Sequence, residues 1–231
     1  MSRIELIGAG VEVENGPIIL QPTTLTLTEQ RIGIIGGNGS GKSTLVRLLN
    51  NLVSPTCGRV LVDGIDAAAD PAAVRRLVGF CFTDPSAQLV MPTCVEDIEL
   101  SLRRSQRDPK LRREAAMAIL TEYGLADRAH TSVHALSGGQ RQLLALAGVL
   151  AVQPRVLVAD EPTTLLDLAN THRVAQRLFG LSQQLLLVSH NLELIERCQR
   201  VLVVEHAEVV FDGEPLAAIS HYREHADQAV R

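Results

Sequence analysis

Apolar and polar positions along this chain fall into two periods. Continuous apolar runs at Val156–Ala159, Leu185–Val188 and Val201–Val204 have the length of strands and no polar alternation. Such runs predict parallel strands buried on both faces. Arg31-Ile-Gly-Ile-Ile35 has the same character. By contrast Arg59-Val-Leu-Val62 alternates, and turn signals at Asn15-Gly16-Pro17 and Asp63-Gly64 make residues 1–65 β-rich. Between about residues 85 and 150 the period becomes helical. Lys110–Leu120 is one such stretch, opened by Asp108-Pro109 as a helix-start signal. The longest apolar run, Leu143–Val152, predicts a buried helix and is too short to cross a bilayer. Strands alternating with helices predict an α/β core of βαβ units with a helical insertion. No internal repeat, low-complexity stretch or long linker interrupts it.

Composition narrows the picture. A chain of 231 residues holds one large core, or a core with a subdomain. With 46% apolar residues and a mean hydropathy of +0.14 it is globular. Net charge is −4 and no basic block is apparent, which argues against a nucleic-acid groove as the main surface, and no nucleic-acid partner is expected. The first twenty residues carry acids and no basic n-region, so no signal peptide is expected. Cys57, Cys81, Cys94 and Cys198 lack C-x-x-C spacing and are expected to be core thiols, not metal ligands.

Residues 36–43 read Gly36-Gly37-Asn38-Gly39-Ser40-Gly41-Lys42-Ser43, the phosphate-binding loop G-x-x-x-x-G-K-[ST]. Glycines at this spacing let successive N–H groups face an anion without a Cβ in the way. Lys42 supplies a charge for the β- and γ-phosphates, and Ser43 a hydroxyl for Mg²⁺. The strand Arg31–Ile35 leads into the loop and a helix beginning near Thr44 leads out, which is the context the motif requires. The chain is therefore expected to bind a nucleoside triphosphate. Val156-Leu-Val-Ala-Asp160-Glu161 ends a buried strand in two carboxylates, where ligands of open α/β sheets sit. Alone this pair is an ordinary solvated strand end; beside a phosphate loop, Asp160 suits Mg²⁺ and Glu161 suits the attacking water. Leu136-Ser-Gly-Gly-Gln140 opens a second apolar helix, with Ser137 as N-cap and two glycines exposing backbone N–H groups to an anion.

Leu136-Ser137-Gly138-Gly139-Gln140 resembles the L-S-G-G-Q signature of the ATP-binding-cassette ATPases, and the chain is similar to that family over essentially its whole length. Asp160-Glu161-Pro162-Thr163 matches its D-E-P-T, Leu166-Asp167 falls at its D-loop, and Ser189-His190 resembles its switch histidine. The resemblance implies a single domain over 1–231, a P-loop NTPase fold of α/β class. It comprises a RecA-like core (1–84 and 151–231), a helical signature subdomain (85–150) and an N-terminal antiparallel β subdomain. It implies ATP and Mg²⁺ as ligands. ATP would be bound by Gly36, Gly37, Asn38, Gly39, Ser40, Gly41, Lys42, Ser43 and Thr44, and on a second copy by Ser137, Gly138, Gly139, Gln140 and Asp167. Ser43, Asp160 and Thr83 would be the metal ligands, and Glu161, His190 and Lys42 the catalytic groups. Two ATP molecules would lie between two subunits. A homodimer is expected, because both half-sites are complete in one chain.

Two departures stand out. The family usually places an aromatic residue upstream of the phosphate loop to stack on adenine. No Phe, Tyr or Trp precedes Phe80 here, and the matching stretch is Val11-Glu-Val-Glu-Asn15. Contact through Val13 or a neighbour without ring stacking would forgo about 1–3 kcal/mol, by analogy with base–aromatic contacts. Modest affinity and weak discrimination of ATP from GTP are the expectation. The Q-loop glutamine is replaced by Thr83 in Phe82-Thr83-Asp84-Pro85, with Gln88 as the alternative. The segment Phe82–Ile98, with Gln88-Leu89, Thr93 and Glu96-Asp97, looks like energy-coupling-factor ATPases, and most like the biotin-uptake type. Cobalt or nickel uptake is the runner-up. That resemblance implies an integral membrane coupling protein and a substrate-capture protein as partners, at the cytoplasmic face of the membrane. A soluble ATPase of iron–sulfur cluster assembly is the competing reading. The apolar run Leu89-Val90-Met91-Pro92 favours the transporter, because an exposed patch there needs a partner; the alternative is a run folded into the helical subdomain's own core.

Overall fold

The continuous apolar runs become the interior of a six-stranded sheet in a computed structural model that describes residues 1–229. With strands numbered in chain order, the spatial order is β10 (Glu208–Gly213), β9 (Arg200–Glu205), β3 (Arg31–Ile35), β8 (Gln184–Val188), β7 (Val156–Asp160) and β6 (Val78–Cys81). β3 pairs in parallel with β8 and β9, and β7 in parallel with β8. Every residue of β3, β7 and β8 is buried, which is why these segments show no polar alternation. A cation anchors the foot of β3. Arg31 is buried, and its guanidinium donates to the carbonyls of Gln30 at 3.0 Å, Gln183 at 2.7 Å and Leu181.

A second, antiparallel sheet runs β2 (Ile18–Leu27), β1 (Ile4–Glu12), β4 (Cys57–Val62) and β5 (Ile65–Asp66). The sequence signals at Asn15-Gly16-Pro17 and Asp63-Gly64 are the turns of its hairpins, with Asn15, Asp63 and Gly64 at left-handed φ of 55°, 50° and 80°. The two sheets, with α1 (Lys42–Leu48), α2 (Pro71–Leu77), α7 (Leu192–Ile195) and α8 (Pro215–Ala229), belong to one unit. It comprises Met1–Gly79, Arg155–Glu161 and the chain from Leu181 onward.

The other unit, Phe80–Pro154 with Pro162–Gly180, is helical: α3 (Cys94–Leu102), α4 (Pro109–Glu122), α5 (Gly138–Leu150) and α6 (Leu168–Phe179). Its core gathers Ile98 from α3, Leu120 from α4 and Leu144 from α5, all fully buried. Asp108 caps α4 by accepting from the Lys110 and Leu111 amides at 2.8 and 3.3 Å. Arg177 of α6 stacks over Tyr123 with its guanidinium carbon 4.7 Å from the ring centroid, and pairs with Glu122 at 3.1 Å. Burial pushes the Tyr123 hydroxyl up to about 12.

Three sequence expectations change. The apolar run 143–152 is not helical to its end: α5 stops at Leu150 and Val152 is exposed. Cys57 is exposed on β4, where it donates toward the Gly8 carbonyl; only Cys81, Cys94 and Cys198 are core thiols. The Leu89–Pro92 run is not one exposed patch. Leu89 is buried in the helical core while Val90 is 69% exposed. The buried carboxylate of Asp97 causes the split, since its Oδ1 accepts from the Val90 and Met91 amides at 2.9 and 3.1 Å and turns the chain there.

Gly58 tests the antiparallel sheet. Its φ is +66°, and a Cβ would meet the Gly8 carbonyl oxygen and carbon at 2.1 and 2.2 Å. Both are backbone atoms that cannot swing away. Gly58→Ala should lower the unfolding free energy by at least about 2 kcal/mol, read by urea denaturation.

Candidate functional site

In the first unit the sheet delivers three loops to one edge, because parallel strands share a direction. β3 ends at Ile35 and the phosphate loop follows; β7 ends at Asp160; β8 ends at Val188 and Ser189-His190 follow. The loop is moulded on the protein backbone. A Cβ on Gly36 would lie 2.0 Å from the Val204 carbonyl oxygen, and one on Gly41 2.8 Å from that of Ile19, where φ is +106°. These approaches, not general flexibility, require glycine at 36 and 41. Lys42 is buried, and its Nζ donates to the Gly36 and Gly37 carbonyls at 2.8 and 2.7 Å. Burial pushes its ammonium below the ordinary lysine range, against the pull of Glu161 and Asp160.

Ser43, one residue further along α1, donates its hydroxyl to Asp160 Oδ1 at 3.1 Å. Arg47, one helical turn on, places a guanidinium nitrogen 3.6 Å from Asp160 Oδ2. Burial pushes Asp160 above the usual carboxylate range; the Ser43 hydroxyl and Arg47 oppose that shift, and Glu161 adds to it. A hydroxyl and a carboxylate oxygen side by side are hard donors of the kind Mg²⁺ takes, so the residues present fit that ion.

Glu161 adopts a left-handed φ of 53°, uncommon for a non-glycine residue. Its amide still donates to the Val188 carbonyl at 3.0 Å, which ties the end of β7 to β8. The carboxylate thereby reaches the β8 loop, with Oε1 3.1 Å from His190 Nε2 and Oε2 3.4 Å from the His190 amide. Strained backbone at such a position is characteristic of functional sites. Lys42, Ser43, Asp160, Glu161 and His190, widely separated in sequence, thus form one connected cluster.

A further support was invisible in the sequence. The β9–β10 turn is His206-Ala207, with φ of 48° and 66° and no glycine. Ala207 donates its amide to the Ser40 carbonyl at 3.0 Å and accepts from the Gln21 amide at 2.6 Å. The turn therefore braces the phosphate loop against β2. Arg47 was missed as well, although its i, i+4 spacing from Ser43 on α1 places the two on one helix face.

In the helical unit Ser137 caps α5, its Oγ accepting from the Gln140 amide at 3.3 Å while Gln140 Oε1 accepts from the Ser137 amide at 3.0 Å. Gly139 packs against α6: a Cβ there would lie 2.3 Å from Asn170 Cγ. Asp167 caps α6 and accepts from the Asn170 amide at 2.8 Å. Thr83, Asp84, Gly138, Arg141 and Leu166 line a cavity of about 80 Å³ that joins the loop after β6, the start of α5 and the approach to α6. Gln88 is occupied elsewhere. Its Oε1 accepts from the Phe82 amide at 3.3 Å and its Nε2 donates to the Ala145 carbonyl at 3.2 Å, so it pins this loop to α5. Thr93 and Glu96 form the capping box of α3. The cadence Gln88, Thr93, Glu96, Asp97 is thus a set of loop-shaping contacts.

The family described as ABC transporter matches residues 20–164. A putative ABC transporter ATP-binding protein of Deinococcus radiodurans is 47% identical over 206 residues, covering 89% of this chain and 91% of that protein. The biotin transport ATP-binding protein BioM of Rhizobium etli is 41% identical over 225 residues, covering 96% of this chain and 98% of the relative. Among solved structures, cbiO1 of Clostridium perfringens, described as part of the ABC transporter complex cbiONQ, superposes with a TM-score of 0.82 at 25% identity. That match covers 99% of this chain and 94% of the other.

Asp160 yields a stability test. Its folded-state pKa is raised, so the folded protein favours the protonated acid. That contribution is complete below the ordinary carboxylate pKa and is lost as pH rises through the folded value. Near neutrality the ionised group is a liability. Asp160→Asn should raise the stability of the nucleotide-free protein by on the order of 1 kcal/mol, visible as a higher melting temperature at pH 7 and a vanishing difference at acid pH.

Proposed function

This chain belongs to the ABC transporter family, and from that premise we propose that it is the ATPase of an energy-coupling-factor importer of biotin, working as a head-to-tail homodimer. The connected cluster of Lys42, Ser43, Asp160, Glu161 and His190 carries the ATPase part of this reading. The full-length likeness to a biotin transport ATP-binding protein supports the substrate. Among the described residues no helix is long and apolar enough to cross a membrane. In this reading the path through the bilayer belongs to a separate coupling protein and a substrate-capture protein, and the ATPase sits peripherally on the cytoplasmic face.

In this reading each residue of the cluster has a role. Amides of residues 36–44 and the Lys42 ammonium hold the β- and γ-phosphates; Lys42 exchanges its two carbonyl acceptors for phosphate oxygens. Ser43 and Asp160, already joined by a hydrogen bond, would hold Mg²⁺. The ion, when bound, neutralises phosphate charge. Glu161 accepts a proton from the attacking water, whose oxygen bonds to the γ-phosphorus as the bond from that phosphorus to the bridging oxygen breaks; ADP and inorganic phosphate leave. His190 orients that carboxylate through its Nε2, and would turn from Glu161 to donate to the γ-phosphate of bound ATP. Ser137, Gly138, Gly139 and Gln140 present a helix N-terminus to the ATP of the second copy, and Asp167 braces this contact. Val13, 48% exposed on the β1–β2 hairpin, offers adenine apolar contact without a ring.

Two measurements bear on this. Glu161→Gln should retain ATP-dependent dimerisation while lowering turnover at least about a hundredfold; near-normal hydrolysis would remove Glu161 from the role of base. Affinity capture of the tagged chain from salt-washed native membranes should recover integral membrane proteins, including a biotin-binding subunit. A cobalt- or nickel-binding subunit would move the substrate, and a purely soluble complex would overturn the importer reading.

A further inference from the structure

The connection between α3 and α4 concentrates charge in a way that the net −4 of the chain conceals. Residues 103–113 hold six of the 22 basic residues and one of the 26 acidic ones. Polar residues and a proline separate the cations, so they form no uninterrupted basic run. α3 packs on α4, so this connection is the end of a helical hairpin within the helical unit.

Two of the six cations are structural. Arg112 donates to the Gln106 and Arg107 carbonyls at 3.2 and 3.4 Å. Arg113 pairs with Glu99 at 3.1 Å and contacts His130. The other four, Arg103, Arg104, Arg107 and Lys110, are exposed and make no side-chain hydrogen bond or ion pair among the described residues. Asp108 does not neutralise them, since it is turned onto the Lys110 and Leu111 amides, and Glu114, four residues after Lys110 on α4, forms no ion pair with it. Helix stability explains only part of the cluster. Arg103 suits the C-terminus of α3, but Lys110 lies in the first turn of α4, where the helix dipole disfavours a cation. Internal bonds stiffen the loop: Ser105 Oγ donates to the Leu102 carbonyl at 3.1 Å and Gln106 accepts from the Asp108 amide at 3.2 Å. Two exposed leucines flank the cations, Leu100 in the last turn of α3 and Leu111 in the first turn of α4.

We propose that this hairpin end is a docking surface for anionic lipid headgroups, with Arg103, Arg104, Arg107 and Lys110 on the phosphates and Leu100 and Leu111 at the headgroup boundary. Charge complementarity selects the occupant. The remainder of the molecule is acidic and repelled by an anionic bilayer, so the attraction is local to this loop. Residues 94–122 contain no Phe, Tyr or Trp, so the stacking platform that single-stranded nucleic acid uses is missing. The proposal rests on the membrane-peripheral reading above, but its test contains no membrane protein, so either can fail alone.

The experiment is flotation of the purified full chain with vesicles of neutral phosphatidylcholine or of a phosphatidylcholine–phosphatidylglycerol mixture. Binding is expected to the anionic vesicles only, and to weaken steeply between about 50 and 300 mM salt. The triple variant R103Q/R104Q/R107Q should lower the partition coefficient about a hundredfold, with melting temperature and ATPase activity in solution unchanged. Lys110→Gln, tested alone, should lower it about fivefold. Equal binding to neutral vesicles, unchanged binding by the triple variant, or binding to poly-uridylate but not to anionic vesicles would each overturn the proposal.

Discussion

Parallel register among β3, β7 and β8 is the constraint on which the rest of the first unit depends. Ile34 pairs with Val188, and Val188 with Asp160, so the three strands end level. A phosphate loop, an acidic pair and a histidine from three distant stretches of sequence then meet at one sheet edge. No single contact in the cluster could assemble it; the ladder does so because a one-residue slip would carry every side chain to the opposite face. Complete burial of these strands makes such a slip costly, and Arg31 fixes β3 at its other end.

The site is held under tension. Asp160 is buried with its charge, Lys42 is buried with its own, and Glu161 occupies left-handed backbone. Each arrangement is unfavourable for a folded protein on its own. They are sustained by partners within the protein: two carbonyls for Lys42, a hydroxyl and a guanidinium for Asp160, a histidine for Glu161. A ligand that supplies better partners gains affinity because these groups are already ordered and desolvated.

Legibility followed the range of the interaction. The phosphate loop, the strand ending in Asp160-Glu161, and the cap at Ser137 were readable because each is encoded within a few consecutive residues. The turns at Asn15-Gly16 and Asp63-Gly64 were readable for the same reason. Arg47, Ala207 and Asp97 act on groups brought to them by folding. Gln88 was weighed as a site residue, but its amide spans the loop and α5, a use that spacing alone does not reveal. Leu89 and Val90 show the opposite case: adjacent apolar residues look alike in sequence, and a buried carboxylate seven or eight residues later sends them to opposite environments.

The turn at His206-Ala207 bears on how the site can be observed. Its second residue is hydrogen-bonded to the phosphate loop through its backbone amide, while the first residue is exposed. A small dye carried at position 206 would stand one residue from the Ser40 carbonyl without intruding on the loop. A displacement of that loop would reach the dye through one peptide unit. The same bracing that steadies the phosphate loop thus supplies an optical handle on it, placed outside the chemistry it would report.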